Sequence, residues 1–144
     1  MMYDGKPHME EIRHAKAAVS IPVIANGGIF SVEDAVNMME RTGVDGVMIA
    51  RYGLENPFVF SELTGKCCGK TAFEILMEQL ELAARYYDET FVLGYMKKIA
   101  SYMMKKRKGT KRYKERLFAS GSLEELREMI GMIFGGVGSG VLSD

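Results

Sequence analysis

Two short apolar runs, each followed by a turn and then by a helical pattern, constrain the fold of this chain most. Residues 21–25 lead into Asn26, Gly27 and Gly28, and residues 46–50 lead into Arg51. Neither run alternates between apolar and polar residues, which suits strands of a parallel sheet that is covered on both faces. A helical pattern lies between the runs, so the order is that of a β-α-β unit.

Local signals mark the ends of the helices around these runs. An apolar spacing of three and four residues predicts a helix over residues 9–19. Ser31, with an acid three residues on, has the capping-box spacing and predicts the start of the next helix, which Gly43 ends as a candidate left-handed cap. Asn56, followed by Pro57, predicts the start of a short helix.

The remainder of the chain has a helical pattern throughout. Thr71 and Ser122 each precede an acid by three residues and predict two further helix starts. A helix over residues 94–106 is predicted between them. We therefore expect an α/β fragment over residues 1–66, followed by an all-α helical bundle over residues 67–144.

The two predicted strands are too few for an independent sheet. A pair of strands is marginal in water, and both runs look built for burial on two faces. The chain is therefore expected either to pair with copies of itself or to be the tail of a longer protein, and the second reading is preferred. Exposed strands also predict self-association when the chain is made alone.

The distribution of charge points to a partner. The formal net charge is zero, yet residues 97–116 carry ten basic side chains and a single acid, with Tyr102 and Tyr113 interleaved. Lysine and arginine neutralise phosphates and tyrosine stacks on bases, so we favour RNA binding over a merely solvated helix face. The candidate RNA-binding residues are Lys97, Lys98, Lys105, Lys106, Arg107, Lys108, Lys111 and Arg112.

The ends of the two predicted strands form the strongest candidate for a small-molecule site. Ligands of α/β folds bind at the carboxyl ends of strands, and glycines let the backbone approach an anion closely. The N-terminus of the following helix would add N–H donors, and Arg51 a charged clamp. The pattern favours phosphate binding no more than the alternative, in which the glycines only form a tight turn and Arg51 makes a surface ion pair.

Several other classes of function are disfavoured. No apolar run approaches the ~18 residues of a membrane helix. Cys67 and Cys68 are adjacent and cannot join distant segments, so a disulfide scaffold is excluded and a reducing cytosol is expected. His8 and His14 lack the spacing of metal ligands, and no metal site is predicted. The sequence contains no Walker loop and no Ser-His-Asp elbow.

Taken together, these residues carry a resemblance to the tRNA-dihydrouridine synthase family. The ordered segments that match the end of the family's flavin barrel are residues 21–31, 33–35, 42–51 and 56–58. Residues 2–6 resemble the loop after the sixth barrel strand. Residues 96–126 are similar to the family's C-terminal helical RNA-binding domain.

The resemblance implies a fold, an activity and a cofactor. Residues 1–66 would be the last two βα units of a TIM barrel that holds FMN, and residues 67–144 a helical tRNA-binding domain. The family is cytoplasmic and uses NADPH and FMN to reduce the C5–C6 double bond of uridine in tRNA, with a cysteine as proton donor. By position, the cofactor-binding residues would be Asn26, Gly27, Gly28, Ala50 and Arg51.

The sequence departs from the family's pattern at several points. Gly28 stands where Asp is usual and Ala50 where Gly is usual, although backbone N–H donation survives both changes. Ile99 replaces a common His. Six barrel strands, the catalytic Cys, and the Lys and His beside the flavin ring have no counterpart here, and Cys67 and Cys68 do not fill that role. No catalytic residue is therefore assigned, and the chain alone is expected to lack synthase activity.

Three hypotheses follow from the sequence. In the first, the chain belongs to an FMN-dependent tRNA-dihydrouridine synthase and works only within a full barrel. In the second, it is a stand-alone basic helical RNA-binding module with a vestigial barrel segment. In the third, it comes from a different phosphate-binding barrel, which the basic helical part argues against.

Overall fold

A computed structural model describes residues 8–105 and 107–136 of the chain. Contacts within the chain divide it after Cys68 into two compact units. This division lies two residues from the boundary expected from the sequence. The two units are described separately below.

The first unit contains four helices and two strands in its described part. Their order begins with a helix and alternates up to the second strand, as the sequence predicts. The elements are α1 (Met9–Ala17), β1 (Ile24–Asn26), α2 (Val32–Thr42), β2 (Gly46–Met48), α3 (Arg51–Glu55) and α4 (Val59–Thr64).

The start of the last two helices differs from the sequence prediction. Asn56 was predicted to cap a helix, but it ends α3, and Phe58 precedes the first residue of α4. The Asn56 side chain instead accepts a hydrogen bond from the Phe58 N–H (3.1 Å) and donates to the Glu62 carboxylate. Arg51, predicted to follow a strand, is the first residue of α3.

The strands pair in parallel and are shorter than predicted. Ile24 lies opposite Gly46 and Asn26 opposite Met48. The first strand starts three residues later than the apolar run, since residues 21–23 form no ladder in the described structure. The predicted caps of α2 are confirmed: the Ser31 hydroxyl accepts from the Asp34 N–H, and Gly43 adopts a left-handed conformation with a φ of 69°.

Two small clusters of buried side chains form the core of the first unit. One contains Ile29, Ala35, Ile49, Tyr52 and Val59, and the other contains Ala25, Met38 and Val44. The sequence predicts that the strands are buried on both faces, and among the described residues this prediction is wrong. Ile24 is 59% exposed and Met48 49% exposed, because alternate strand residues point to opposite faces and only one face is covered.

The second unit is helical in its described part, as the sequence predicts. Thr71 forms a full capping box with Glu74, and Asp88 and Ser122 cap two further helices. The long helix after Asp88 begins five residues before the predicted start at residue 94. The helices are α5 (Ala72–Tyr86), α6 (Glu89–Met104), α7 (Lys114–Ala119) and α8 (Leu123–Phe134), with a 3₁₀ turn at Lys111–Tyr113.

Apolar side chains from all four helices form one core in the second unit. Helices α5, α6 and α8 contact one another pairwise, and α7 packs on α6 and α8. Leu76, Met96, Leu117, Leu126 and Ile130 are completely buried at the centre. No helix within the described residues is both long and apolar enough to cross a membrane.

Candidate functional site

The carboxyl ends of β1 and β2 lie side by side at one edge of the sheet. Asn26 and Met48 are the last residues of the two strands and are paired in the ladder. The loop that contains Gly27 and Gly28 therefore leaves the sheet beside the segment that leads to Arg51. The sequence prediction that these two segments meet at one edge is consistent with this register.

Both glycines of the first loop have positive φ angles. Gly27 has a φ of 118° and Gly28 a φ of 67°, and L side chains rarely adopt the first of these values. A Cβ atom at Gly27 would have no neighbour within 4 Å, so the backbone conformation rather than crowding requires glycine there. The open space beside Gly27 leaves room for a ligand at this edge.

Arg51 and Phe30 bring the two loops into contact. The Arg51 guanidinium carbon lies 5.3 Å from the centre of the Phe30 ring, within the range of a cation–π interaction. Phe30 follows the glycine loop, and Arg51 follows β2. Sequence reasoning missed Phe30, because a partner that lies 21 residues away leaves no local signal.

Some of the polar groups at the start of α2 are used within the loop itself. The Asp34 N–H donates to the Ser31 hydroxyl (3.0 Å), and the Asp34 carboxylate accepts from the Phe30 N–H (2.9 Å). Among the described residues, the Val32 and Glu33 N–H groups at the start of α2 have no acceptor, so they are the donors that this helix N-terminus offers. Within the described residues, the Gly28 N–H also has no hydrogen-bond acceptor.

The predicted RNA-binding cations lie on α6, on the loop after it and on the 3₁₀ turn. Lys98, Lys105, Lys108, Lys111 and Arg112 are exposed, and Arg107 is half-buried. Lys106 lies outside the described residues.

Three of these cations lie over aromatic rings. The Lys105 ammonium is 4.3 Å from the centre of the Tyr102 ring, and the Arg112 guanidinium is 4.8 Å from that of Tyr113. The Arg107 guanidinium lies 5.3 Å from the ring centre of Phe134 at the end of α8.

Lys97 makes a different kind of contact from the other basic residues. Its ammonium group donates to the backbone carbonyl oxygens of Phe118 (3.0 Å) and Ser120 (2.5 Å), at the C-terminal end of α7. A cation at this position satisfies carbonyl groups that have no partner within the helix. Lys97 therefore joins α6 to α7. Ile99, where the family commonly has His, packs partly buried against the core.

A second polar cluster joins α1 to the sheet of the first unit. The Asp45 carboxylate accepts from the Lys16 ammonium and from the Val23 N–H, each at 2.7 Å. The hydrogen bond from Lys16, followed by that from Val23, holds the pKa of Asp45 below its ordinary value of 3.8. In the second unit, the hydrogen bonds from Thr71 lower the pKa of Glu74 in the same way.

The remaining polar candidates of the sequence form no site. Among residues 8–105 and 107–136, no three His, Cys, Asp or Glu side chains come together as metal ligands would. Cys67 and Cys68 are exposed free thiols at the end of the first unit.

Comparison with known proteins places the chain in a family. Residues 1–131 match the sequence model of the family described as "Dihydrouridine synthase (Dus)". A probable tRNA-dihydrouridine synthase 1 from Synechocystis sp. (strain PCC 6803) is 36% identical over 137 residues, which are 89% of this chain and 38% of that protein. The tRNA-dihydrouridine synthase B of Pseudomonas putida KT2440 is 32% identical over 127 residues, which are 82% of this chain and 38% of that protein.

A shorter segment is more similar still. The tRNA-dihydrouridine synthase B of Vibrio cholerae is 48% identical over 62 residues, which are 43% of this chain and 19% of that protein. The chain thus spans about two fifths of the length of the relatives that it matches most widely, and the match lies in their C-terminal part.

Proposed function

Since the chain belongs to the dihydrouridine synthase family, we propose that it is the C-terminal part of an FMN-dependent tRNA-dihydrouridine synthase. This enzyme is an oxidoreductase that reduces uridine in tRNA to 5,6-dihydrouridine with NADPH, and we assign it to the cytoplasm. Residues 1–66 form the last two βα units of its TIM barrel. Residues 67–144 form a helical bundle that binds tRNA.

The phosphate of FMN is assigned to the shared edge of β1 and β2. The residues proposed to hold it are Asn26, Gly27, Gly28, Ala50 and Arg51. The contact between Arg51 and Phe30 carries this assignment, because it holds a cation beside the glycine loop. Open space beside Gly27 and the unused N–H of Gly28 fit a phosphate group.

The residues of this chain bind and orient the cofactor; they do not react with the substrate. The Gly28 N–H would donate to a phosphate oxygen, and the Arg51 guanidinium would neutralise the phosphate charge. FMN, when bound and reduced by NADPH, would supply the hydride for the C5–C6 bond of uridine, and a separate proton donor would complete the reduction. The proton donor belongs to a part of the family's barrel that has no counterpart in these 144 residues.

The tRNA backbone is assigned to the basic residues of the second unit. Lys98, Lys108, Lys111 and Arg112 are exposed and form no ion pair with an acid among the described residues, so their charge is available to phosphates. The residues proposed to contact tRNA are Lys98, Lys105, Lys106, Arg107, Lys108, Lys111 and Arg112. Lys97, which the sequence also nominates, is assigned to the join between α6 and α7.

A chimeric enzyme tests the proposal. This chain replaces the matching C-terminal segment of the Synechocystis relative, in a host without dihydrouridine synthases of its own. We expect the chimera to restore dihydrouridine in tRNA, measured by mass spectrometry of nucleosides, whereas the relative without its C-terminal segment restores none. A folded chimera that yields no dihydrouridine contradicts the proposal.

The arginine at the sheet edge has a matched control in the same chimera. Arg51→Ala is expected to lower the amount of FMN that copurifies with the protein. Arg41→Ala removes an exposed arginine near the end of α2, away from this edge, and should leave the FMN content unchanged. Equal FMN content in both variants would contradict the phosphate assignment.

A second function is favoured by one observation. The second unit has a continuous core of its own, so it is able to act as an RNA-binding module without the barrel segment. Under this alternative, residues 69–144 alone bind tRNA as tightly as the full chain, and the chimera stays inactive. The third hypothesis, a different phosphate-binding barrel, is set aside because the family match covers residues 1–131.

A further inference from the structure

One face of α6 carries a regular series of aromatic and basic side chains. Tyr87 precedes the helix, and the later members follow at intervals of three or four residues, which places them on one helix face. We call this series the aromatic stripe; its members are Tyr87, Phe91, Tyr95, Lys98, Tyr102 and Lys105.

The first three rings of the aromatic stripe form a column. The ring centres of Tyr87 and Phe91 are 4.5 Å apart, with 29° between the ring planes. Phe91 and Tyr95 follow at 5.9 Å and 10°. The Gln79 amide donates to the Tyr95 hydroxyl at 3.0 Å, which fixes the third ring on α5. The column is therefore ordered before any partner binds.

The first two rings of the aromatic stripe lie outside the core, whereas Tyr95 is partly buried against it. The opposite face of α6 carries Val92, Met96 and Ala100, which are completely buried. By contrast, Tyr87 is 57% exposed and Phe91 47% exposed. The exposed surfaces of the Tyr87 and Phe91 rings are therefore open to a binding partner.

The lysines on the same face indicate what kind of partner fits. Lys98 is exposed one helical turn from Tyr95, and Lys105 lies over the ring of Tyr102. From Phe91 to Lys105 the helix rises by about 21 Å, at ~1.5 Å per residue. Rings interleaved with cations over this length match a strand whose flat bases alternate with phosphates.

We propose that the aromatic stripe binds unpaired nucleotides of RNA, by stacking bases on its rings and neutralising phosphates with Lys98 and Lys105. Bases in a duplex are already stacked on each other, so the aromatic stripe selects single-stranded segments. This proposal rests on the proposed function for its choice of RNA. It adds the part of the RNA that is recognised and the residues that recognise it.

Binding of a single-stranded uridine oligonucleotide to the full chain tests the proposal. A gel-shift series over several salt concentrations compares it with an RNA hairpin of equal length. We expect Phe91→Ala to weaken binding of the single strand about tenfold, the scale of one lost base–aromatic stack, without changing the salt slope. Lys98→Ala should instead reduce the slope by about 0.7, since one phosphate contact is lost.

Phe118→Ala is the matched control for Phe91→Ala. Phe118 is 49% exposed and lies on α7, outside the aromatic stripe, so its removal should leave binding within twofold. Phe91→Leu keeps an apolar side chain but loses the flat ring, whereas Phe91→Tyr keeps the ring. If Phe91→Ala unfolds the unit, the comparison of Phe91→Leu with Phe91→Tyr tests the proposal instead. Equal RNA binding by these two variants overturns it.

The outcomes also separate this proposal from the proposed function. If Lys98→Ala lowers the salt slope while the Phe91 variants bind like the parent, only the aromatic stripe is refuted. If the parent binds neither RNA at low salt, the RNA-binding role and the aromatic stripe both fail. Equal affinity for hairpin and single strand overturns the preference for unpaired nucleotides.

Discussion

The Lys97 ammonium group lies 2.5 Å from the carbonyl oxygen of Ser120 and binds it as a hydrogen-bond donor. A second hydrogen bond reaches the carbonyl of Phe118 in the same turn. Lys97 is thus committed to the fold, whereas its neighbour Lys98 is exposed to solvent. Two adjacent lysines therefore serve different purposes, one in stability and one in binding.

Replacing each of these lysines by methionine separates the two roles. Lys97→Met should lower the free energy of unfolding of the second unit by about 1.5–3 kcal/mol, because two carbonyl groups lose a charged donor. Lys98→Met should change it by less than about 0.5 kcal/mol, as is usual for exposed positions. Denaturant unfolding followed by circular dichroism measures both. Equal losses of stability in the two variants would show that the Lys97 contacts contribute nothing.

Two glycines of the second unit should respond to alanine with opposite signs. Gly94 lies inside α6, and Gly109 has a φ of 79°; neither has an atom within 4 Å of an added Cβ. Gly94→Ala should stabilise the unit by about 0.5–1 kcal/mol, since alanine favours a helix. Gly109→Ala should destabilise it by about 1–2 kcal/mol, because the left-handed conformation strains an L residue. Thermal unfolding of both variants checks the difference, and a change of the same sign in both would contradict it.

The stability of the first unit should depend on the ionisation of Asp45. Its pKa lies below the ordinary value in the folded chain because Lys16 and the Val23 N–H donate to the carboxylate. A carboxyl group with a lowered folded pKa stabilises the fold above its unfolded pKa, and that stability is lost as pH falls through the folded value. Stability should therefore fall from about pH 5 to below pH 3.8.

Variants at both ends of this contact measure the effect. Asp45→Asn should flatten the fall in stability with acid, and Lys16→Met should reduce it partly, because the Val23 donor remains. Denaturant unfolding at several pH values between 3 and 7, with a signal from the first unit, provides the comparison. A parent-like pH dependence in Asp45→Asn would refute the assignment.

The uncovered face of the two-stranded sheet predicts self-association of the isolated chain. Ile24 and Met48 are exposed on the described part of β1 and β2, and water contact with such side chains is unfavourable. Ile24→Lys should shift light scattering towards a monomer. Met39→Lys, at an exposed position of α2, should not. A parent chain that is monomeric at all concentrations would contradict the prediction.

The isolated chain is expected to lack synthase activity. The purified 144 residues should show no NADPH oxidation dependent on FMN and tRNA, because the family's proton-donating cysteine has no counterpart among them. A spectrophotometric assay at the NADPH absorbance band, with the chimera as positive control, measures this. Turnover by the chain alone would refute the expectation.

Helix ends were predictable from the sequence because their chemistry is local. Ser31, Thr71 and Ser122 each accept from the N–H three residues on, as their spacing predicts. Strand ends were less predictable. The run over residues 21–25 is apolar throughout, yet β1 is Ile24–Asn26, because a strand is defined by the partner that pairs with it.

Contacts between distant residues could not be predicted from the sequence. Lys97 stands in a basic segment that is typical of nucleic-acid binding, but its hydrogen-bond acceptors lie 21 and 23 residues further along the chain. Only part of the aromatic stripe was identified from the sequence, because Tyr102 stands within the basic segment while Tyr87 and Phe91 precede it. Their spacing along α6 could have been found from the sequence once the helix was known to begin at Glu89.

The aromatic stripe also has an optical consequence. The chain has seven tyrosines and no tryptophan, so its ultraviolet emission comes from tyrosine. Three of the seven, Tyr87, Tyr95 and Tyr102, lie on the aromatic stripe. A base that stacks on them would quench this emission, and the unlabelled protein would then report its own occupancy by RNA.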